Sequence, residues 1–507
     1  MLKNIMKYKR PIVAVFSGGF ATLGFDPYSF WPATLVSLTV LLLIIHRQSA
    51  RNASGLAFLW GLGHFGTGIA WVYEVIYHFG GLPLPVGLMI IGLLIVYLSL
   101  YPALFGYLLR RFTSIPEIVT LLVFAPALWL IIDWLRGWML TGFPWLWPGY
   151  SQIDSPLAAF APLLGVQGIT LAMMLIAGSV VLTLFRRDIK MLMPAAVVTL
   201  LSLMLGQVSW VTPQTDKPVK IAMVQGNISQ ELKWLPSQRW PTLLSYQDMS
   251  RQNWDADIII WPEAAIPALE RDLPDFLSRL DTAARYNKTA LITGVVDQND
   301  EGQFFNNVIA IGMNGTDGYH YPASHSYSKH HLLVFGEFVP FEEWLRPIAP
   351  LFNLAMSSFT RGDYIQPNLV AAGYHLAPAL CFEILFHQQV RENIRPDTDF
   401  ILTLSNDAWF GDSIGPHQHL EIARMRALEN GKPVLRATNT GVTAAIDYKG
   451  KVHAEIPQFT REVLRTESIT TRGETPFTQY GEWPLNVWVI ICLIITVVGA
   501  LKQRKEN

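Results

Sequence analysis

Charge is scarce in this 507-residue chain: 15% of residues are Asp, Glu, Lys or Arg, while 51% are hydrophobic. Soluble domains carry roughly 25% charged residues, so a membrane protein is the first expectation. Neither sign is in surplus. The 38 Lys and Arg against 39 Asp and Glu leave a net charge of -1, which gives no basic field for nucleic acid. Cysteine is rarer still: Cys381 and Cys492 are the only two, and Cys492 lies inside the apolar stretch 487–501. A disulfide framework is therefore not expected. The only close histidine pairs, His330-His331 and His417-Gln-His419, lack zinc-site spacing. His417 and His419 are read as capping the following helix or packing against it, and no metal is expected. No internal repeat or low-complexity stretch is present.

Apolar segments of spanning length run over 11–26, 30–46, 55–77, 84–109, 117–135, 158–185 and 190–210, and then 484–501. About 20 such residues cross a ~30 Å hydrocarbon core. Lys3, Lys7, Lys9 and Arg10 precede the first segment, as in a signal peptide, but Phe25-Asp26-Pro27-Tyr28 lacks a small-residue cleavage site. A retained helix is expected. Basic residues cluster before the first segment, at Arg47 and Arg51, at Arg110 and Arg111, at Arg186, Arg187 and Lys190, and after the last segment. The alternate connections, 27–29 and 78–83, have none. The positive-inside rule then puts both termini inside and residues 212–482 outside. The expected domains are a seven-helix membrane portion (1–211), a soluble block (212–482), and a last helix with its tail (483–507).

Two features of the membrane portion invite functional readings. Gly61-Leu-Gly63-His-Phe-Gly66 matches a dinucleotide fingerprint, but no strand precedes it, so close helix packing is expected. Asp133 and Arg136 are three apart on one helix, either a functional intramembrane pair or a local ion pair.

From Pro213 short β-rich runs (220–227, 256–261, 290–297, 307–312, 375–382, 400–405, 434–439) alternate with amphipathic helices (238–253, 273–286, 385–393, 417–429). Near-continuous apolar runs such as Ile258-Ile-Ile260 predict sheets buried on both faces, hence an α/β domain. Three chemically capable residues stand where runs end: Glu263 in Trp261-Pro-Glu263, Lys329, and Cys381 in Ala377-Pro-Ala-Leu-Cys381-Phe-Glu383. Cysteine is a nucleophile only as thiolate. A carboxylate can take its proton, and a lysine can keep that carboxylate ionised and meet an oxyanion. The N–H after the nucleophile is the natural second donor. Each residue also has a structural reading, as a buried thiol or a solvated pair.

Taken in order, Trp261-Pro-Glu263, Lys329 through Phe-Gly-Glu337-Phe-Val-Pro340, Cys381-Phe-Glu383, and His419 through Arg424-Met-Arg426-Ala-Leu-Glu429 to Arg436-Ala-Thr-Asn439-Thr-Gly441 resemble the apolipoprotein N-acyltransferases, whose catalytic domain is of the nitrilase superfamily. The resemblance covers nearly the whole chain. It implies an α-helical membrane bundle carrying a periplasmic αββα sandwich in the bacterial inner membrane. Glu263 would be general base, Lys329 the oxyanion and positioning residue, Cys381 the nucleophile and Glu337 a further acid. Asn307, Trp234 and Glu383 match positions around the site. Phe382 stands where the family commonly has Tyr, so any role of that hydroxyl is absent. The implied reaction moves a fatty acyl chain from a phospholipid, phosphatidylethanolamine above all, onto Cys381, and then onto the α-amino group of a diacylglyceryl-cysteine apolipoprotein. It needs no cofactor.

Water must be kept from such a thioester, and the Pro-interrupted apolar stretch 341–358 reads either as core or as a membrane-facing lid. Two alternatives use the same block: a membrane-tethered nitrilase-like amidase, with water as second nucleophile, and a non-catalytic ligand-binding module.

Overall fold

The computed structural model describes residues 2–79, 83–112, 115–334, 336–339 and 359–506; the candidate lid 341–358 lies outside them. The fold divides into a helical unit, which runs to Ser209 and resumes at Gln479, and an α/β unit, Trp210–Thr478.

Each apolar segment of the sequence is helical. Among the described residues four helices are long and apolar enough to cross a membrane: Leu84–Arg111, Glu117–Thr141, Pro156–Arg186 and Trp483–Lys502. Pro32–Ile45 and Ile189–Leu205 are apolar but shorter, and Leu2–Ala21 and Ala50–Gly68 fill the first and third intervals. Small residues set the packing. A Cβ on Gly63 would stand 2.0 Å from Val15 O, and one on Gly18 2.0 Å from Trp60 O. Of the apparent fingerprint, Gly63 is thus where two helices touch and Gly61 would meet Ser99 and Pro102, whereas a Cβ on Gly66 would meet nothing within 4 Å. Asp133 and Arg136 form a buried ion pair of 3.2 Å, and Arg136 Nη1 also donates to the carbonyls of Phe143 and Trp145.

In the α/β unit two sheets lie face to face. One runs in the order Glu462–Ser468, Val219–Gln225, Ile258–Ile260, Ala290–Gln298, Phe304–Gly312, Ser326–Ser328, with Ile266–Leu269 added beside Ala290–Gln298. The other runs Val452–Ile456, Thr443–Ile446, Val434–Thr438, Phe400–Ser405, Tyr374–Pro378, Leu369–Ala371. Ile258 and Ile260 enter the core between the sheets. Ile259 enters the second core, under helices Arg239–Arg251 and Pro274–Tyr286. A strand buried on both faces must be apolar at every position, which is why the Ile run carried no alternation. Helices His387–Glu392 and Gly415–Asn430 belong to the second sheet's half, completing four layers, αββα.

Two sequence expectations shift. The run 375–382 is a strand only to Pro378; Cys381–Leu385 is a 3₁₀ turn. His417 and His419 do not cap the following helix but lie inside Gly415–Asn430.

Candidate active site

Glu263, Lys329 and Cys381 each follow the end of a strand: Ile258–Ile260, Ser326–Ser328 and Tyr374–Pro378 respectively. Glu263 lies flat against Ala290–Gln298 because residue 294 is glycine. A Cβ there would stand 2.4 Å from Ala264 N and 2.8 Å from Glu263 Cα. Cys381 takes φ +48°, a left-handed conformation that a side chain adopts at a cost of about 1 kcal/mol or more and that clusters at functional sites.

Lys329 Nζ is shared between Glu263 Oε1 at 3.2 Å and Glu337 Oε1 at 2.9 Å, with its side chain 2% exposed. Burial opposes the ammonium, but the two carboxylates, with Cys381 beyond them, hold its pKa well above the ordinary lysine value. Asn306 Nδ2 donates to the same two carboxylates, at 2.9 Å and 3.0 Å. Glu263 Oε2 accepts the N–H of Asn406 at 3.0 Å, and Glu337 Oε2 that of Leu333 at 2.9 Å. Both carboxylates are thereby fixed in rotation, which a base that must meet one particular proton requires.

The thiol of Cys381 is pushed well above the ordinary range, by burial first and then by Glu263, against the pull of Lys329. Burial thus favours the thiol over the thiolate. Attack from a thiol needs a base at the moment of reaction, and Glu263 is the carboxylate whose charge raises this thiol most.

Glu383 does different work. Its Oε1 accepts from the N–H groups of His330 (2.8 Å) and His331 (3.0 Å) and from Gln389 Nε2 (2.8 Å), its Oε2 from Leu380 N (2.8 Å), and both from Tyr327 OH. One buried side chain thus ties the loop carrying the lysine to the loop carrying the cysteine. Phe382 packs edge-on against Phe386, with ring centroids 5.4 Å apart, and lies 6.0 Å from the ring of His331. Trp234 is half-exposed, and its ring carries the ammonium of Lys233 at 5.9 Å.

The whole length of the chain has relatives. Residues 17–179 match the model of the apolipoprotein N-acyltransferase N-terminal domain, and residues 220–469 that of the carbon-nitrogen hydrolases. An apolipoprotein N-acyltransferase of Vibrio vulnificus is 55% identical over all of both chains. One of Shewanella oneidensis is 43% identical over 100% of this chain and 98% of its own. The chain belongs to the apolipoprotein N-acyltransferase family. Among solved structures, an amidase from Nesterenkonia sp. is similar at 16% identity and a TM-score of 0.37, covering 53% of this chain and 95% of its own.

Three residues of this N-acyltransferase-family site escaped the sequence reading. The asparagine on the carboxylates is Asn306, not Asn307. Asn306 shares its strand face with Val308 and Ala310, toward the other sheet, whereas Asn307 sides with Ile309 and Ile311, under the helices. A one-residue error on a strand reverses the face. Lys233 is the second. It is 3% exposed, donates to the Glu263 carbonyl at 3.2 Å, and burial lowers its pKa to about 8 against the pull of Glu263. The third is His419, whose Nε2 lies 3.0 Å from Cys381 O.

Proposed function

We propose that this chain is a phospholipid:apolipoprotein N-acyltransferase that works through a thioester on Cys381. The observation that carries the proposal is a buried lysine clamped between two fixed carboxylates beside a strained, protonated cysteine, in a chain of this family.

In the first half-reaction Glu263 takes the Cys381 proton and the sulfur attacks the ester carbonyl of a phospholipid, for which phosphatidylethanolamine is the proposed donor. Lys329 and the Phe382 N–H meet the oxyanion. The carbon–oxygen bond then breaks, and the proton on Glu263 passes to the departing lysophospholipid. In the second, the neutral α-amine of a diacylglyceryl-cysteine attacks the thioester and Glu263 takes its proton. The thiolate leaves with the amide formed and recovers the proton. Glu337 holds Lys329 in line throughout. Both substrates are bilayer-anchored, and burial of acyl chains at about 0.8 kcal/mol per CH₂ supplies their capture.

The proposed topology has seven spans before residue 212 and one after 482, with both termini cytoplasmic and the α/β unit periplasmic. The alternation of basic clusters supports it.

The test is intact-mass analysis of purified protein incubated with phosphatidylethanolamine, beside Cys381→Ala and Glu263→Ala, followed by a diacylated lipopeptide. A hydroxylamine-labile acyl adduct, absent from both variants and discharged onto the lipopeptide amine, is expected. An adduct that decays equally fast without lipopeptide would make the chain a hydrolase. No adduct from any phospholipid would leave a binding module.

A further inference from the structure

Beneath Cys381 lies a set of buried polar groups that the reaction above does not use. His419, Asp407 and Arg436 all have fully buried side chains. His419 Nε2 is 3.0 Å from the backbone carbonyl of Cys381. His419 Nδ1 is 3.2 Å from Arg436 Nη2 and 3.3 Å from Asp407 Oδ1. Asp407 Oδ2 accepts from Arg436 Nη2 at 2.5 Å, and its Oδ1 accepts from Ser405 Oγ at 2.5 Å. Nothing can enlarge at residue 441 without disturbing this, since a Cβ on Gly441 would stand 2.2 Å from Asp407 Oδ2.

The chemistry fixes the tautomer. A carbonyl can only accept, so His419 Nε2 carries the proton; burial and the Arg436 cation favour the neutral ring against Asp407, and its Nδ1 accepts from Arg436. The bond therefore runs Arg436 to His419 to Cys381 O. That carbonyl is one end of the planar Cys381–Phe382 peptide, and the N–H at its other end points the opposite way. This N–H is the backbone donor that the mechanism aims at the oxyanion, and among the described hydrogen bonds it has no protein acceptor. A donor to the carbonyl fixes the rotation of the peptide, and it polarises the N–H, because hydrogen bonds in series strengthen one another.

We propose that His419 is a positioning residue for oxyanion stabilisation: through the Cys381 carbonyl it orients and polarises the Phe382 N–H, and Asp407 and Arg436 hold its ring for that task. The proposal rests on Cys381 being acylated at a carbonyl, as above, but not on the acyl donor's being a phospholipid.

The test compares two reactions of the same sulfur in the full-length protein in detergent. Acylation by a p-nitrophenyl ester passes through an oxyanion; alkylation of Cys381 by iodoacetamide, followed on the Cys381 peptide by mass spectrometry, does not. In His419→Leu the kcat of acylation falls about ten- to a hundredfold, short of the 10²–10³ for losing a donor outright. KM for the ester and the alkylation rate stay within about threefold. In His419→Gln, whose amide can still donate to the carbonyl, most of the acylation rate returns. Three results would each overturn the proposal: acylation unchanged in His419→Leu, acylation and alkylation falling together, or Gln faring no better than Leu. Wild-type protein that takes the acyl group from the aryl ester but not from phosphatidylethanolamine would sink the proposed donor, and the His419 comparison would still be decided.

Discussion

Replacing Lys233 by methionine should make the protein more stable at neutral pH and a poorer enzyme. The ammonium is 3% exposed and, among the described residues, has one hydrogen bond, to the Glu263 carbonyl. Its pKa falls from the ordinary 10.5 to about 8, chiefly through burial. A tenfold change in a protonation equilibrium is about 1.4 kcal/mol, so holding the charge there costs about 3 kcal/mol. The sign follows from proton counting. Between pH 8 and 10.5 the unfolded chain binds the proton that the folded chain has released, so stability rises with pH across that window. Below pH 8 the full cost is present; above 10.5 it is gone. Methionine keeps the apolar stem and leaves the carbonyl without its donor, a loss of about 1 kcal/mol. The net gain at pH 7 is about 2 kcal/mol, a rise in Tm of about 4–8 °C for a domain of this size. Thermal unfolding in detergent, followed by tryptophan fluorescence at pH 7 and pH 10, measures it. The gain should shrink to nothing near pH 10. A Lys233→Met protein that melts lower than wild type at pH 7 would refute the reasoning.

Strand parity makes a paired prediction: Asn306→Leu should slow acylation of Cys381 about a hundredfold, as loss of a positioned polar group in an active site does, while Asn307→Leu should leave it within a few-fold, both read by adduct formation. Glu383→Gln keeps the shape of the side chain but turns one of its oxygens into an NH₂ facing either His330 and His331 or Leu380. It should cost about 3 kcal/mol in stability, seen as a lower melting temperature together with lost acylation. Asp407 is held at a pKa of about 2, burial being outweighed by the Arg436 guanidinium, with the Ser405 hydroxyl donating to the same carboxylate. Its contribution is present above its ordinary 3.8 and lost as pH falls toward 2, so Asp407→Asn should destabilise the protein by about 2 kcal/mol at pH 7, with the difference from wild type vanishing in acid.

The fold was legible where the chain obeys one rule at a time. Apolar runs of spanning length marked the long helices of the helical unit, and Glu263 and Cys381 stood at the ends of β-rich runs, whereas the strand before Lys329, Ser326–Ser328, was not among the runs read. Strands such as Thr443–Ile446, Val452–Ile456 and Glu462–Ser468 were missed, the last two at sheet edges. Two of them alternate buried and exposed residues in polar sequence, and they exist because a partner strand holds them. The site was legible in part for a related reason. Glu263, Lys329 and Cys381 lie in short motifs with strand-end positions of their own. Lys233 is the third residue of Glu231-Leu-Lys233-Trp234, outwardly an exposed turn, and only the tertiary fold buries its ammonium against Glu263. The histidine at 419 was legible as a helix residue, but the carbonyl it meets lies 38 positions earlier.

The same geometry makes a last demand, on the second substrate. Glu263 and Glu337 carry two negative charges against one on Lys329, and Lys233 stands at Glu263 as a second cation. When Cys381 gives its proton to Glu263, charge moves from carboxylate to sulfur and then to the oxyanion, but none is created. A buried, preorganised site can permit such a transfer without solvent rearrangement. The second half-reaction keeps this balance only if the amine arrives neutral, since an ammonium would bring an extra positive charge into a site from which water is excluded. An α-amine ionises near pH 8. Discharge of a preformed acyl-enzyme onto lipopeptide should therefore rise about tenfold per pH unit between pH 6 and 7.5, while acylation by the ester changes little over the same interval. Rapid mixing with mass detection separates the two steps. If both rose together, the titrating group would belong to the enzyme and not to the incoming amine, and the requirement for a neutral amine would fall.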